Sequence, residues 1–144
     1  MDERDKKFAI RDAVPSDCGV ILEFIRKLAS YDGEGMSVTA TEADIRESLF
    51  EERQACAIIG EEDGEPVAFA GFLYNYSTFL GRANVYLEDL FVEERCRGRG
   101  HGRAMLGFLA RTALERGCKR LDWLCLDDNA RAKAFYGKLG ARAI

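Results

Sequence analysis

Residues 87–107 read LEDLFVEERCRGRGHGRAMLG, and three kinds of local structure meet in that stretch. The run from Val85 to Val92 is rich in β-branched, aromatic and long apolar residues and predicts a strand. Its adjacent carboxylates, Glu88 and Asp89, fall on opposite faces of a strand with a period of two. After Glu93-Glu94-Arg95-Cys96 comes Arg97-Gly98-Arg99-Gly100-His101-Gly102, and then Arg103-Ala104-Met105-Leu106 opens a helical pattern. Glycines at alternate positions between strand and helix let the backbone turn tightly and bring its N–H groups close to a ligand. The start of the helix adds unpaired N–H groups and the positive end of its dipole. The segment is thus an anion nest bearing the charges of Arg97, Arg99 and Arg103, which suits a diphosphate. On spacing alone it is equally a plain turn. It lacks the GK[ST] ending of a mononucleotide loop and the later features of a dinucleotide fingerprint.

Outward from this stretch the chain reads as a single α/β domain, 1–144, with a mixed sheet. Phe8 to Arg11 predicts a first strand, and Ser16 or Asp17 caps a helix whose stripe is Val20, Ile21, Phe24, Ile25 and Leu28. A polar, glycine-broken link follows from Tyr31 to Met36. Thr41-Glu42-Ala43-Asp44 has the pattern of a capping box and opens a helix to about Glu52. Ala55–Glu61 and Pro66–Tyr76 are strands joined through Asp63-Gly64, a strong hairpin signal. The aromatics Phe69, Phe72, Tyr74, Tyr76 and Phe79 suit core packing, with a pocket lining as the alternative. After the glycine turn, Ala104, Leu106, Phe108, Leu109, Ala113 and Leu114 give a helix ending near Gly117. Leu121–Leu126 is a fifth strand, parallel to Val85–Val92 across a right-handed helical crossover. A last helix runs from about Ala130 to Lys138 and stops at Gly140.

With 144 residues and a formal charge of −4, the chain is large enough for a substantial core and is the wrong sign for nucleic acid or anionic lipid. No apolar run approaches the roughly 20 residues of a membrane span. The odd cysteine count, 5, without C-x-x-C spacing or a secretory leader, places the chain in the reducing cytoplasm. Cys96, among arginines, is a candidate for a lowered thiol pKa. The single histidine, His101, excludes zinc sites built on several histidines, and no metal is expected.

Arg97-x-x-Gly100-x-Gly102, after a strand and opening a helix, resembles the pyrophosphate-binding motif of the GNAT superfamily of N-acetyltransferases. Tyr86 to Val92, the run from Asn129 to Ala141, and the early segment before Tyr31 are similar to the branch that acetylates polyamines and thialysine. The resemblance covers essentially the whole chain. It implies the acyl-CoA N-acyltransferase fold, with the final strand or strands that follow Gly140 in that family lacking here. It implies acetyl-coenzyme A as cosubstrate, a small-molecule amine as acceptor, and a homodimer. The backbone of Leu90, Phe91 and Val92 then holds the pantetheine arm. The turn at Arg97, Gly98, Arg99, Gly100, His101, Gly102 and Arg103 holds the diphosphate, with His101 facing phosphate or solvent. Asn129 and Lys133 contact the arm and the nucleotide phosphates.

Transfer from a thioester needs a free amine, a polarised carbonyl and a proton for the departing thiolate. Tyr136, on the last helix, can supply that proton, and the resemblance assigns it the same role; without the resemblance it reads as a packing residue. The resemblance makes Glu88 a base acting through water or a holder of the substrate ammonium. Direct abstraction from an alkylammonium by an ordinary carboxylate is unfavourable by roughly 8 kcal/mol, so a water chain or prior proton loss is required. Asp89 is the neighbouring alternative. Asp32 and Glu34 stand where the polyamine-acetylating relatives carry acids at the substrate mouth. The expected reaction is acetylation of a small polyamine or diamine-like amine. The alternatives are another amine, such as an amino acid, an aminoglycoside or a protein N-terminus, or a catalytically weak coenzyme A-binding module.

Overall fold

The structure is a computed structural model describing residues 6–32, 37–124 and 130–142. Strands β1 (Phe8–Asp12), β2 (Cys56–Glu62), β3 (Glu65–Ser77), β4 (Arg82–Val92) and β5 (Leu121–Trp123) form one sheet in sequence order. β1 to β4 are antiparallel, and β5 runs parallel to β4. Helices α1 (Cys18–Asp32) and α2 (Glu42–Arg46) lie on one side, and α3 (His101–Glu115) and α4 (Ala130–Lys138) on the other. The mixed α/β sheet, the hairpin and the parallel crossover are as the sequence predicts. Of the expected fifth strand, Cys125 and Leu126 lie outside the described residues.

Local signals explain most boundaries. Thr41 Oγ1 accepts the Asp44 N–H at 3.1 Å while the Asp44 carboxylate accepts the Thr41 N–H at 2.9 Å, the reciprocal pair of a capping box. The helix then widens at Glu47–Glu51, where the Glu52 N–H reaches back five residues to the Glu47 carbonyl at 2.7 Å. The two-residue turn between β2 and β3 has positive φ at both Asp63 (48°) and Gly64 (85°), as the twist of a hairpin requires. Where the sequence predicts a cap at Ser16 or Asp17, the chain makes a turn of its own. A short 3₁₀ turn, Pro15–Asp17, leads into α1, and Asp17 accepts the Val14 N–H at 2.7 Å and a bidentate pair from Arg11.

Two cores flank the sheet. Ile21, Leu22 and Phe24 of α1 pack on Ile59, Phe69 and Phe91, while Met105, Leu106 and Leu109 of α3 pack on Ile58, Ala70, Phe72, Val85 and Leu87. The buried stripe of α3 is His101, Met105, Leu106, Leu109 and Ala113, so it is rotated from the one the sequence suggested: Leu114 is 77% exposed. The β3 aromatics divide likewise. Phe69 and Phe72 are core, whereas Tyr76 and Phe79 stand exposed at the far end of the β3–β4 hairpin.

Gly60 in β2 is needed for a close approach: a Cβ there would lie 2.5 Å from Cζ of Phe8 and 3.1 Å from the Ala68 methyl. Gly60→Val is expected to lower stability by about 1–3 kcal/mol through overpacking, seen as a fall in Tm, and Phe8→Ala in the same chain should recover part of it.

Candidate active site

The Gly-rich turn is built as the sequence requires. Gly98 and Gly100 have φ of 80° and 82°, in the left-handed region, and a Cβ on either would meet nothing within 4 Å. One side of the turn is therefore open. Gly100 starts α3 without a side-chain cap, and the first helical bond is Ala104 N–H to the Gly100 carbonyl at 3.0 Å. The N–H groups of His101, Gly102 and Arg103 precede that bond, and the first turn carries no acidic residue. Positive dipole, N–H groups free of intrahelical partners and open space fit the diphosphate of acetyl-coenzyme A.

The side chains of this turn are arranged less as expected. Arg97 donates through Nε to the Val92 carbonyl at 3.0 Å and lies over the Phe91 ring. Arg99 reaches Glu62 with Nη1 at 2.7 and 3.0 Å and the Arg95 carbonyl with Nη2 at 3.0 Å. His101 was expected to face phosphate or solvent. It is buried instead, its ring stacked on Phe8 at 3.9 Å and its Nε2 2.6 Å from a Glu62 oxygen. Arg103 is exposed.

Glu62 itself is 2% exposed. Burial pushes its pKa up, but hydrogen bonds from His101, Arg99 and Cys96 outweigh this and hold it down at about 2. The same carboxylate overturns the expectation for Cys96. That thiol is fully buried and 3.4 Å from Glu62, and burial together with the carboxylate raises its pKa despite Arg95 and Arg99. Cys96 should therefore resist iodoacetamide in the native protein and label only on unfolding, with half-buried Cys56 and Cys118 reacting first; peptide mapping checks this.

The pairing of β3 with β4 matches Gly71 with Asp89 and Phe72 with Leu87, which leaves Glu88 as the extra residue of a β-bulge. Before it, Val85 and Leu87 face the α3 core; beyond it, Leu90 and Val92 face that core and Phe91 faces α1. Alternation thus restarts, and Glu88 and Asp89 fall on the same face, that of α1, rather than on opposite faces. Glu88 is exposed and Asp89 half-buried.

Just before the bulge, β4 pairs with β5 through Val85–Leu121, Tyr86–Asp122 and Leu87–Trp123. Among the described residues the pairing with β5 ends at Leu87, one residue before the bulge. The Tyr136 ring packs on Trp123 at 4.8 Å, opposite Leu87 and one residue from Glu88. Its neighbour Phe135 lies against Gly102, where a Cβ would come within 3.3 Å of the ring. Helix α4 thus touches the first turn of α3 through Phe135 and β5 through Tyr136. Lys133 is exposed on α4. Asp32 is the last residue of α1, its side chain outside the described part, and Glu34 and Asn129 lie outside the described residues. Sequence reasoning missed Glu62, which reads as one acid among several at a hairpin. Among the described residues no group of His, Cys, Asp and Glu is placed to hold a metal ion.

Residues 23–141 match the acetyltransferase (GNAT) family. The chain is 38% identical over 142 residues to thialysine N-epsilon-acetyltransferase of Bos taurus, covering 92% of this chain and 83% of that protein. It is 29% identical over 142 residues to spermidine/spermine N(1)-acetyltransferase-like protein 1 of Homo sapiens, covering 93% of this chain and 20% of that one. Among solved structures, a possible acetyltransferase from Clostridium difficile superposes with a TM-score of 0.85 at 18% identity, over 95% of this chain and 91% of that one, a likeness of fold. An uncapped helix behind a left-handed glycine turn, on a sheet of this topology and in a sequence this similar, leaves one conclusion: the chain belongs to the GNAT family and is an acetyl-coenzyme A-dependent N-acetyltransferase.

Proposed function

We propose that the acceptor is a primary amine of a small polyamine or diamine-like compound such as thialysine. The observation that carries this reading is the bulge at Glu88, which puts two carboxylates on the α1 face just beyond the described β4–β5 pairing. A second ammonium on the substrate would be held there while the first is acetylated. The similarity to the bovine thialysine enzyme and the chain's formal charge of −4 support a cationic substrate. Asp32 and Glu34 extend the acidic side of this site in the same reading.

The amine nitrogen attacks the thioester carbonyl, forming the C–N bond as the C–S bond breaks. Glu88, through water, takes the proton the ammonium must lose, and Tyr136 gives its phenolic proton to the departing thiolate. Leu90, Phe91 and Val92 supply backbone groups to the pantetheine arm. The N–H groups of the Gly98–Arg103 turn, with the charges of Arg97 and Arg103, hold the diphosphate, and Asn129 and Lys133 contact the arm and the nucleotide phosphates. The resemblance to the polyamine-acetylating branch adds a cytoplasmic homodimer to this reading.

Steady-state release of coenzyme A with spermidine, spermine, putrescine, thialysine, lysine and an aminoglycoside tests it. Saturable turnover of a di- or polyamine or of thialysine, weakened by Glu88→Gln chiefly in KM or kcat for that amine, supports the assignment. Turnover confined to lysine or the aminoglycoside would overturn it.

A further inference from the structure

Among the described residues of the diphosphate turn, Cys96 and Arg97 donate to the carbonyls of Glu93 and Glu94 at 2.9 and 3.2 Å, and Ala104 donates to that of Gly100 at 3.0 Å. Between them stand Gly98, Gly100 and Gly102, the residues with the most conformational freedom to lose. Side-chain contacts tie the turn to the sheet. There a single carboxylate, Glu62 at the end of β2, receives Arg99 at 2.7 Å, His101 at 2.6 Å and the Cys96 thiol at 3.4 Å. These three residues bracket Gly98 and Gly100. The His101 ring is closed from its other side by Phe8, the β1 residue paired with Glu62, and Phe8 lies over Gly60. A Cβ on Gly98 or Gly100 would meet nothing within 4 Å, and the cavity beside these glycines is lined by Glu62, His101 and Phe8 as well.

We infer that Glu62 is a positioning residue for coenzyme binding, acting through Arg99 and His101 to hold the turn in its anion-binding shape before the ligand arrives. The inference rests on the coenzyme reading of that turn given above. It assigns Arg99 and the His101 ring to the clamp, leaving the backbone N–H groups for phosphate. Without the clamp, the turn must be ordered again at each binding event, and ordering even one backbone residue corresponds to about a tenfold loss of affinity.

The test compares wild type, Glu62→Gln, Arg99→Gln and the double variant by steady-state kinetics in acetyl-coenzyme A, and by amide hydrogen exchange of residues 98–103 in the coenzyme-free protein. Glu62→Gln is expected to raise KM for acetyl-coenzyme A about tenfold, to leave kcat within about twofold and KM for the amine unchanged, and to speed exchange in the turn. Arg99→Gln should do the same, and the double variant should be no worse than the weaker single. A folded Glu62→Gln protein with wild-type KM overturns the inference, as does an additive double variant, which would make Arg99 a phosphate ligand in its own right. A loss of stability with no change in KM would leave Glu62 a structural residue only and equally overturn it. If Glu62→Gln does not fold, Arg99→Gln decides alone: raised KM with faster exchange supports the clamp, and raised KM with wild-type exchange refutes it. A wild-type protein that fails to saturate with acetyl-coenzyme A would instead remove the coenzyme reading, whatever the exchange shows.

Discussion

On the proposed mechanism, Tyr136→Phe is expected to lower kcat by about a hundredfold or more while leaving KM for acetyl-coenzyme A and for the amine within about threefold, because removal of a positioned general acid typically costs 10²–10⁴-fold. The substitution isolates the hydroxyl. The ring of Tyr136 is half-buried, tilted against Trp123 at 4.8 Å and edge-on to Phe135 at 5.3 Å, and phenylalanine keeps both contacts. Stability should change by no more than the worth of one hydrogen bond, about 1.5 kcal/mol, and a thermal melt on the same sample separates a lost proton donor from a displaced helix. Phe135 makes the second control. Its ring rests on Gly102 in the first turn of α3, so Phe135→Ala should loosen α4 from the turn and affect KM for acetyl-coenzyme A as well as kcat. A Tyr136→Phe enzyme with nearly wild-type kcat would leave thiolate protonation to water and Tyr136 as a packing residue.

The sequence carries the elements whose causes are local. Asp63-Gly64 specifies a turn with two positive φ values, Thr41 and Asp44 satisfy each other's N–H groups, and alternate glycines before an apolar helix make an anion nest. What it hides depends on partners far along the chain. The LEDLFV run alternates without a break on paper, so the bulge at Glu88 exists only in register with Gly71 and Phe72 of β3, and it moves Asp89 to the face of its neighbour. Glu62 stands in a Glu-Glu-Asp-Gly turn that reads as solvated charge, and it becomes a buried anchor because Arg99 and His101 come back to it from 37 and 39 positions on. Cys96 shows the same limit in reverse. Its sequence neighbours are arginines, which would favour a thiolate, while its neighbour in space is a carboxylate in a site closed to water, which opposes one.

Acid should expose the same anchor as a stability difference. The Glu62 carboxyl is held at about 2 in the folded protein against an ordinary value of 4.5. A depressed carboxyl contributes stability that is fully present above the unfolded value and is lost as pH falls towards the folded one, so the window is from about 4.5 down to about 2. The displacement corresponds to at most about 3 kcal/mol, since each unit is worth about 1.4 kcal/mol and water relaxes around the partly exposed Arg99 partner. Asp17, also depressed by its pair with Arg11, adds an acid-sensitive contribution of the same sign to wild type. Glu62→Gln keeps that contribution and removes only the anchor's charge. Unfolding free energies from urea titrations at pH 7, 5, 4, 3 and 2.5 should then show the variant less stable by up to about 3 kcal/mol at neutral pH. The two curves should converge as pH falls, because protonation turns the wild-type carboxyl into a neutral group much like the amide. A gap that stays constant across the window would mean that Glu62 stabilises by shape and packing, with its charge playing no part.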